Sequence, residues 1–218
     1  MLNYKNKATL SYFETFPNTE EFYSASEPGA PLCLQTRQEL TQLLEVIDQL
    51  QPKTIVEIGV NYGGSLYQWM KHLKPKTTII AIDIKGGPFC SVDYNQHPPD
   101  YSNFNRWAEE FNQDFHMIWG NSSLEETRDS VLKITNSIDF LFIDGDHSYP
   151  GVKKDFILYR PLVNHGGLIA LHDIANQPGC DGVSYLWKEI RQCGFIVREL
   201  WSMRDQDKVG YGTGLVFV

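Results

Sequence analysis

The sequence predicts a doubly wound α/β fold: a mostly parallel, seven-stranded sheet of Rossmann-like type with an antiparallel strand at its C-terminal edge. Three observations carry this. Continuous apolar runs such as Phe140-Leu141-Phe142-Ile143 read as strands buried on both faces, which is the habit of parallel sheets. These runs alternate with segments whose apolar residues recur at helical spacing, giving a β-α order repeated five times. The last two apolar runs follow one another with no helix between them, as an antiparallel pair would.

Taken in order, residues 36–50 place Leu40, Leu43, Leu44, Ile47 and Leu50 on one helical face, and Pro52 stops the helix. Residues 54–60 (TIVEIGV) form a strand, and a turn rich in glycine opens a helix that ends before Pro75. Residues 77–84 (TTIIAIDI) are the second strand. Residues 85–103 are one long irregular stretch rich in Gly, Pro and Asp, and a loop of that length in a compact domain is usually functional. It is expected to act as a lid. A helix at 105–111, a strand at 115–120 and a helix from Leu124 lead to the strand at 138–143. Pro150 suits the first turn of the next helix. A strand at 167–171, a helix at 183–193 and strands at 195–200 and 212–218 close the chain.

With 218 residues and 42% hydrophobic content, the chain can bury one full core. Residues 36–218 are expected to form the domain. Residues 1–35, aromatic and broken by Pro17, Pro28 and Pro31, are expected to be an extension packed on it and to offer a homodimer contact. A formal net charge of −8 argues against a nucleic-acid partner, which needs clustered Lys and Arg. No run approaches a membrane span and the N-terminus lacks an apolar signal core, so a cytoplasmic protein without a membrane partner is expected. Cys33, Cys90, Cys180 and Cys193 show no C-x-x-C spacing, which implies neither a zinc site nor a disulfide framework.

Two strand-like runs end on acids and histidine: IDFLFIDGDHSY at 138–149 and GGLIALHD at 166–173. In open α/β sheets the ligand crevice lies beyond the carboxyl ends of the strands, so Asp144, Asp146, His147, His172 and Asp173 should converge if the two strands are neighbours. The first β-α turn reads Glu57-Ile58-Gly59-Val60-Asn61-Tyr62-Gly63-Gly64-Ser65, and Asp83 follows about twenty residues later at the next strand end. Glycines there let backbone approach a ligand, and an acid so placed can accept ribose hydroxyls. The competing structural account is tight strand–helix packing at Gly63 and Gly64 with Asp83 merely a strand terminus. Asn61 stands where a dinucleotide fingerprint has its second glycine. Glu57 before the turn suits a cationic ligand, a sulfonium or amino group, better than a pyrophosphate.

On the Glu57–Ser65 turn and Asp83, the chain resembles the class I S-adenosylmethionine-dependent methyltransferases over roughly residues 51–218. The runs at 143–149, Gly151-Val152-Lys153-Lys154-Asp155 and Leu171-His172-Asp173 are similar to a bacterial small-molecule subgroup that includes relatives of macrocin-type and cephalosporin-tailoring enzymes. The resemblance implies S-adenosylmethionine as cofactor. Its methionine part would lie against Glu57, Gly59 and Gly63, its ribose at Asp83 and its adenine end by Gly120, Asn121 and Ser122, with Val60, Asn61, Gly64, Ser65, Ile84, Asp144 and Gly145 also contacting the cofactor. The implied reaction is methyl transfer to an oxygen, less readily a nitrogen, of a small molecule such as a sugar or secondary metabolite.

An alcohol acceptor must lose a proton, to a base or to a cation that lowers its pKa. His147 is the preferred base, since imidazole titrates near neutrality; its alternative role is to order the loop. Asp144 and Asp173 offer hard oxygen donors for Mg²⁺. Related metal-dependent enzymes carry acids at the positions matching Asp144, His172 and Asp173, and the histidine here favours Mn²⁺ or another borderline ion, against the alternative of a metal-free site in which Asp144 caps amides. Two rival functions remain at this stage: a nucleotide- or metal-dependent oxidoreductase or hydroxylase in the same crevice, and a non-catalytic ligand-binding protein of the same fold.

Overall fold

The structure is a computed structural model that describes residues 31, 33, 35–84, 102–175, 179–201, 203–204, 208–209 and 212–218. The element order is α1 (Arg37–Leu50), β1 (Thr54–Ile58), α2 (Gly64–His72), β2 (Thr78–Asp83), α3 (Ser102–Glu110), β3 (Asp114–Trp119), α4 (Glu125–Leu132), β4 (Ile138–Ile143), α5 (Tyr149–Tyr159), a 3₁₀ turn (Arg160–Leu162), β5 (Val163–His172), α6 (Asp181–Gln192), β6 (Ile196–Leu200), β7 (Met203–Arg204), β8 (Lys208–Val209) and β9 (Thr213–Phe217).

Seven strands form one sheet in the order β3-β2-β1-β4-β5-β9-β6. The first five are parallel, and β9 runs antiparallel to both β5 and β6. The expected doubly wound sheet with an antiparallel C-terminal margin is therefore observed. β9 inserts between β5 and β6, which makes β6 the outermost strand on that side.

Alternate strand residues feed two apolar layers. Ile55, Ile79, Ala81, Phe140, Phe142 and Leu168 pack under α1, α2 and α3, where Trp69 meets Phe140 and Phe142 edge-on. Val56, Ile58, Ile80, Leu141, Ile143 and Ile169 pack under α4, α5 and α6. A strand covered on both faces must be apolar at successive positions, which is why the runs read as continuous.

Several boundaries differ from the sequence reading. β5 begins at Val163, four residues before the expected strand, because the segment after the 3₁₀ turn already pairs with Ile138. Ser102 and Asn103, read as the end of the irregular stretch, belong to α3, where Asn103 is buried. α6 starts at Asp181 instead of 183. The short β7–β8 hairpin was not expected. The proposed lid over 85–101 and the aromatic arm over 1–30 lie outside the described residues.

Candidate active site

Every strand of the parallel set ends on the same side, and the strand order reverses at β1: the chain winds from β1 to β2 and β3 on one side of it and returns to β4 on the other. Ile58 of β1 pairs with Ile143 of β4, so the glycine turn and the Asp144 turn leave the sheet side by side. They touch through backbone. Gly59 has φ +85°, and a Cβ there would lie 2.1 Å from the Asp144 carbonyl oxygen. Only glycine fits that contact.

On the β1 side, Glu57 is fully buried, and Ser65 Oγ donates to its Oε1. Its Oε2 has no hydrogen-bond partner. Burial raises the Glu57 carboxyl well above its ordinary range; Ser65 opposes this, and the charges of Asp144 and Asp83 add to it. Gly63 (φ +80°) precedes Gly64 and Ser65, the buried first residues of α2. Asn61 also adopts a left-handed conformation, with φ 50°.

Asp83 is already engaged. Its Oδ2 accepts the N–H groups of Val60 and Asn61, both at 2.9 Å, and its Oδ1 accepts that of Ile84 at 2.6 Å. The carboxylate thus ties the β2 end to the glycine turn. Burial raises its pKa, and these three amides pull it back. Gly120 N–H donates to the Asp83 carbonyl at 2.9 Å, which joins the Gly120-Asn121-Ser122 turn to the same wall. The turn reaches back to α5: Tyr159 Oη donates to the Ser122 carbonyl at 3.1 Å, and Ser123 Oγ donates to Asp155 Oδ1 at 3.4 Å.

On the β4–β5 side, Asp144, His147, His172 and Asp173 do converge. Asp144 Oδ1 lies 3.2 Å from His172 Nδ1 and 3.4 Å from His147 Nε2. Asp173, with a left-handed φ of 62°, turns its carboxylate to both imidazoles, Oδ1 toward His172 at 3.5 Å and Oδ2 toward His147 at 3.4 Å. Burial pushes the Asp144 carboxyl up, but the two histidines outweigh it and hold it well below the ordinary carboxylate range. Burial pushes His147 down, yet hydrogen bonds to Asp144 and Cys180 and the charges of Asp144 and Asp173 lift it to about 11. His172 is raised well above its usual value against the same burial by Asp173, Asp144 and Glu39. The surrounding carboxylates therefore favour the protonated form of both imidazoles. Asp144, His172 and Asp173 place one donor atom each within 4.8 Å of one another, a set able to hold a metal ion. Asp146 is not part of this cluster: its Oδ1 accepts the Ser148 N–H at 2.8 Å, and Ser148 caps α5. Gly145 lies beside Ile58 and Asp155.

Four further residues complete the site. Gln35 Nε2 donates to Asp144 Oδ2 at 2.9 Å. Glu39 Oε1 accepts from Thr213 Oγ1 and lies 3.5 Å from His172 Nε2. Cys180 Sγ lies 3.3 Å from both His147 Nδ1 and Asp173 Oδ2. Thr36-x-x-Glu39 has the spacing of a helix capping box, and Thr36 Oγ1 does accept the Glu39 N–H, which disguises the glutamate as a local cap. The available signal was its place beside Leu40 on the buried helix face. No sequence spacing pointed to Cys180 or Thr213.

A glycine turn, an acid at the next strand end and an acidic crevice beside them stand together at the strand ends of a doubly wound α/β protein. Residues 56–174, more than half of the chain, match the methyltransferase-domain family, and the chain belongs to that family. It is similar to protein R132 of Acanthamoeba polyphaga mimivirus, 35% identical over 132 residues, covering 55% of this chain and 51% of that one. It is also similar to a rhamnosyl O-methyltransferase of Mycobacterium leprae, 21% identical over 147 residues, covering 65% of this chain and 57% of that one. The chain thus spans little more than half the length of either relative. Among solved structures, the O-methyltransferase TomG from Streptomyces achromogenes, in complex with S-adenosylmethionine, shares the fold with a TM-score of 0.63 at 15% identity, covering 95% of this chain and 94% of that one. Among the described residues no helix is long and apolar enough to cross a membrane.

Proposed function

We propose that this protein transfers a methyl group from S-adenosylmethionine to a hydroxyl oxygen of a small polar acceptor, a sugar or secondary metabolite. One observation carries the reading: the glycine turn after β1 and the Asp144 turn after β4 abut backbone to backbone, so one crevice has a cofactor wall and an acidic wall.

The residues fit the cofactor. Glu57 Oε2, buried and without a partner, is suited to the ammonium or sulfonium of the methionine part, whose positive charge would favour the carboxylate that burial disfavours. Gly59, Val60, Asn61, Gly63, Gly64 and Ser65 form the turn that lets backbone approach it. Asp83 keeps the turn in place through its Oδ2, and its Oδ1, with one amide on it, has capacity for a ribose hydroxyl. Ile84 flanks that carboxylate, and Gly120, Asn121, Ser122 and Gly145 border the adenine end. When bound, S-adenosylmethionine supplies an electrophilic methyl group; the chain's share is to hold acceptor and cofactor at near-attack distance.

On the acidic wall, Asp144, His172 and Asp173 would hold a divalent cation, Mg²⁺ or Mn²⁺, which lowers the pKa of an acceptor hydroxyl. His147 is the group of this cluster that an acceptor reaches first: its side chain is 32% exposed, against 17% for Asp144, 6% for Asp173 and 5% for His172. Once Asp144 and Asp173 are engaged elsewhere, the charges that keep His147 protonated are removed, and its imidazole can take the acceptor's proton. Glu39 and Thr213 orient His172 from behind.

Isothermal titration with S-adenosylmethionine tests the reading. Micromolar binding, weakened at least tenfold in Asp83→Ala, is expected; no binding refutes it. Mass-spectrometric detection of a methylated product across a panel of glycosides and phenols, with and without chelator, then identifies the acceptor class and the need for a cation.

A further inference from the structure

We propose that Cys180, His147 and Asp173 form a second cation subsite of mixed sulfur, nitrogen and oxygen donors, selective for a thiophilic divalent ion such as Zn²⁺ or Co²⁺. The methyl-transfer reading makes no use of Cys180, and the subsite does not depend on that reading.

Three observations converge. Cys180 Sγ lies 3.3 Å from Asp173 Oδ2 and 3.3 Å from His147 Nδ1, while the other ring nitrogen, Nε2, is the one 3.4 Å from Asp173 Oδ2; with a single nitrogen ligating, the three donor atoms all lie within 4.8 Å of one another. Tetrahedral zinc with sulfur at about 2.3 Å and nitrogen or oxygen at about 2.0–2.2 Å spaces its donors by about 3.3–3.6 Å. The Sγ–Oδ2 and Sγ–Nδ1 pairs match that spacing before any ion arrives.

The Asp173 carboxylate also divides its oxygens. Oδ1 faces His172, in the set that contains Asp144, while Oδ2 faces His147 and Cys180. Each donor set thus has one oxygen of a shared, bridging carboxylate. Sulfur is what separates the two in preference: a thiolate selects borderline and soft ions over Mg²⁺, whereas a carboxylate-rich set accepts the hard one.

The triad is also rigidly spaced. Cys180 caps the start of α6, and a Cβ on Gly182, two residues on, would lie 2.1 Å from the Tyr149 nitrogen and 2.4 Å from the His147 carbonyl oxygen. The α6 start is thus packed against the backbone that carries His147, which fixes the distance from thiol to imidazole. An arriving ion displaces the thiol proton of Cys180 to make the Sγ–metal bond. Loading this subsite takes His147 out of proton transfer.

Cobalt reads the sulfur donor directly. The full chain, reduced and stripped of metal, is titrated with Co²⁺ and followed by the near-ultraviolet thiolate-to-cobalt charge-transfer band. A saturable band is expected that is lost in Cys180→Ser, retained in Cys193→Ser (the exposed cysteine), bleached by Zn²⁺ and unaffected by excess Mg²⁺. Absence of the band in the wild-type chain overturns the proposal, whether or not Co²⁺ binds elsewhere. So does a band that persists in Cys180→Ser. Neither result bears on cofactor binding, which the calorimetric titration reads separately.

Discussion

The two walls of the crevice are built by different means. The β1–β2 wall is held by backbone: Asp83 accepts three amide N–H groups, and Gly59 allows two loops to touch. The β4–β5 wall is built from side chains: two imidazoles set among the carboxyl groups of Asp144, Asp173 and Glu39. A wall of backbone bonds is insensitive to its ligand and suits a cofactor that every turnover shares. A wall of paired charges changes state when one member is engaged, which suits proton transfer and cation binding. Preorganisation belongs to the first and responsiveness to the second.

The sharpest way to break the contrast is Gly59→Ala, which attacks the seam between the walls. A methyl 2.1 Å from the Asp144 carbonyl, added to a left-handed φ, should cost about 5 kcal/mol by combining overpacking with backbone strain. Urea denaturation should show the variant unfolded or nearly so, and a wild-type midpoint would mean that the seam is loose.

The next effect tests whether buried charge matters outside the cluster. Burial pushes the Asp155 carboxyl up to about 7, with Ser122 and Ser123 opposing and Asp146 adding to the rise. The folded state then binds the extra proton between the unfolded value near 3.8 and about 7, so stability is highest below that window and falls as pH rises through it. The wild type should lose roughly 4 kcal/mol from this group between pH 4 and pH 8. Asp155→Asn should lose that part of the slope, measured as urea midpoints of both proteins across the range. Parallel profiles would refute the assignment.

Asp144→Asn tests the responsive wall. Removing the carboxylate that faces both imidazoles should cost on the order of 3 kcal/mol in the metal-free protein. It should also abolish methyl transfer while leaving S-adenosylmethionine affinity within a few-fold of wild type. A large loss of cofactor affinity would mean that the walls are not separable. Asp83→Asn is the mirror experiment and the smallest in stability, about 1–2 kcal/mol, because an amide oxygen can still accept part of the N–H set. Its main effect should fall on cofactor affinity, read by calorimetry, with the Co²⁺ band unchanged.

The sequence alone determined the parallel sheet, since a strand covered on both faces must be apolar at successive positions and the runs at 140–143 and 168–171 are. It also placed Asp144, Asp146, His147, His172 and Asp173 at strand ends on one side of the sheet, but that β4 and β5 are neighbours, which brings Asp144, His147, His172 and Asp173 together, was decided by the tertiary structure. Glu39, Thr213 and Cys180 were not legible in this way. Glu39 is spaced as a helix cap, Thr213 enters because β9 pairs with β5 so that it faces His172, and Cys180 is brought in by the docking of α6 on the His147 backbone. Helix docking and antiparallel insertion depend on packing across many residues distant in sequence, and no local period encodes them. What only the tertiary structure decided is therefore which side chains stand behind the reacting ones, and that Asp83 braces the glycine turn as well as facing a ligand.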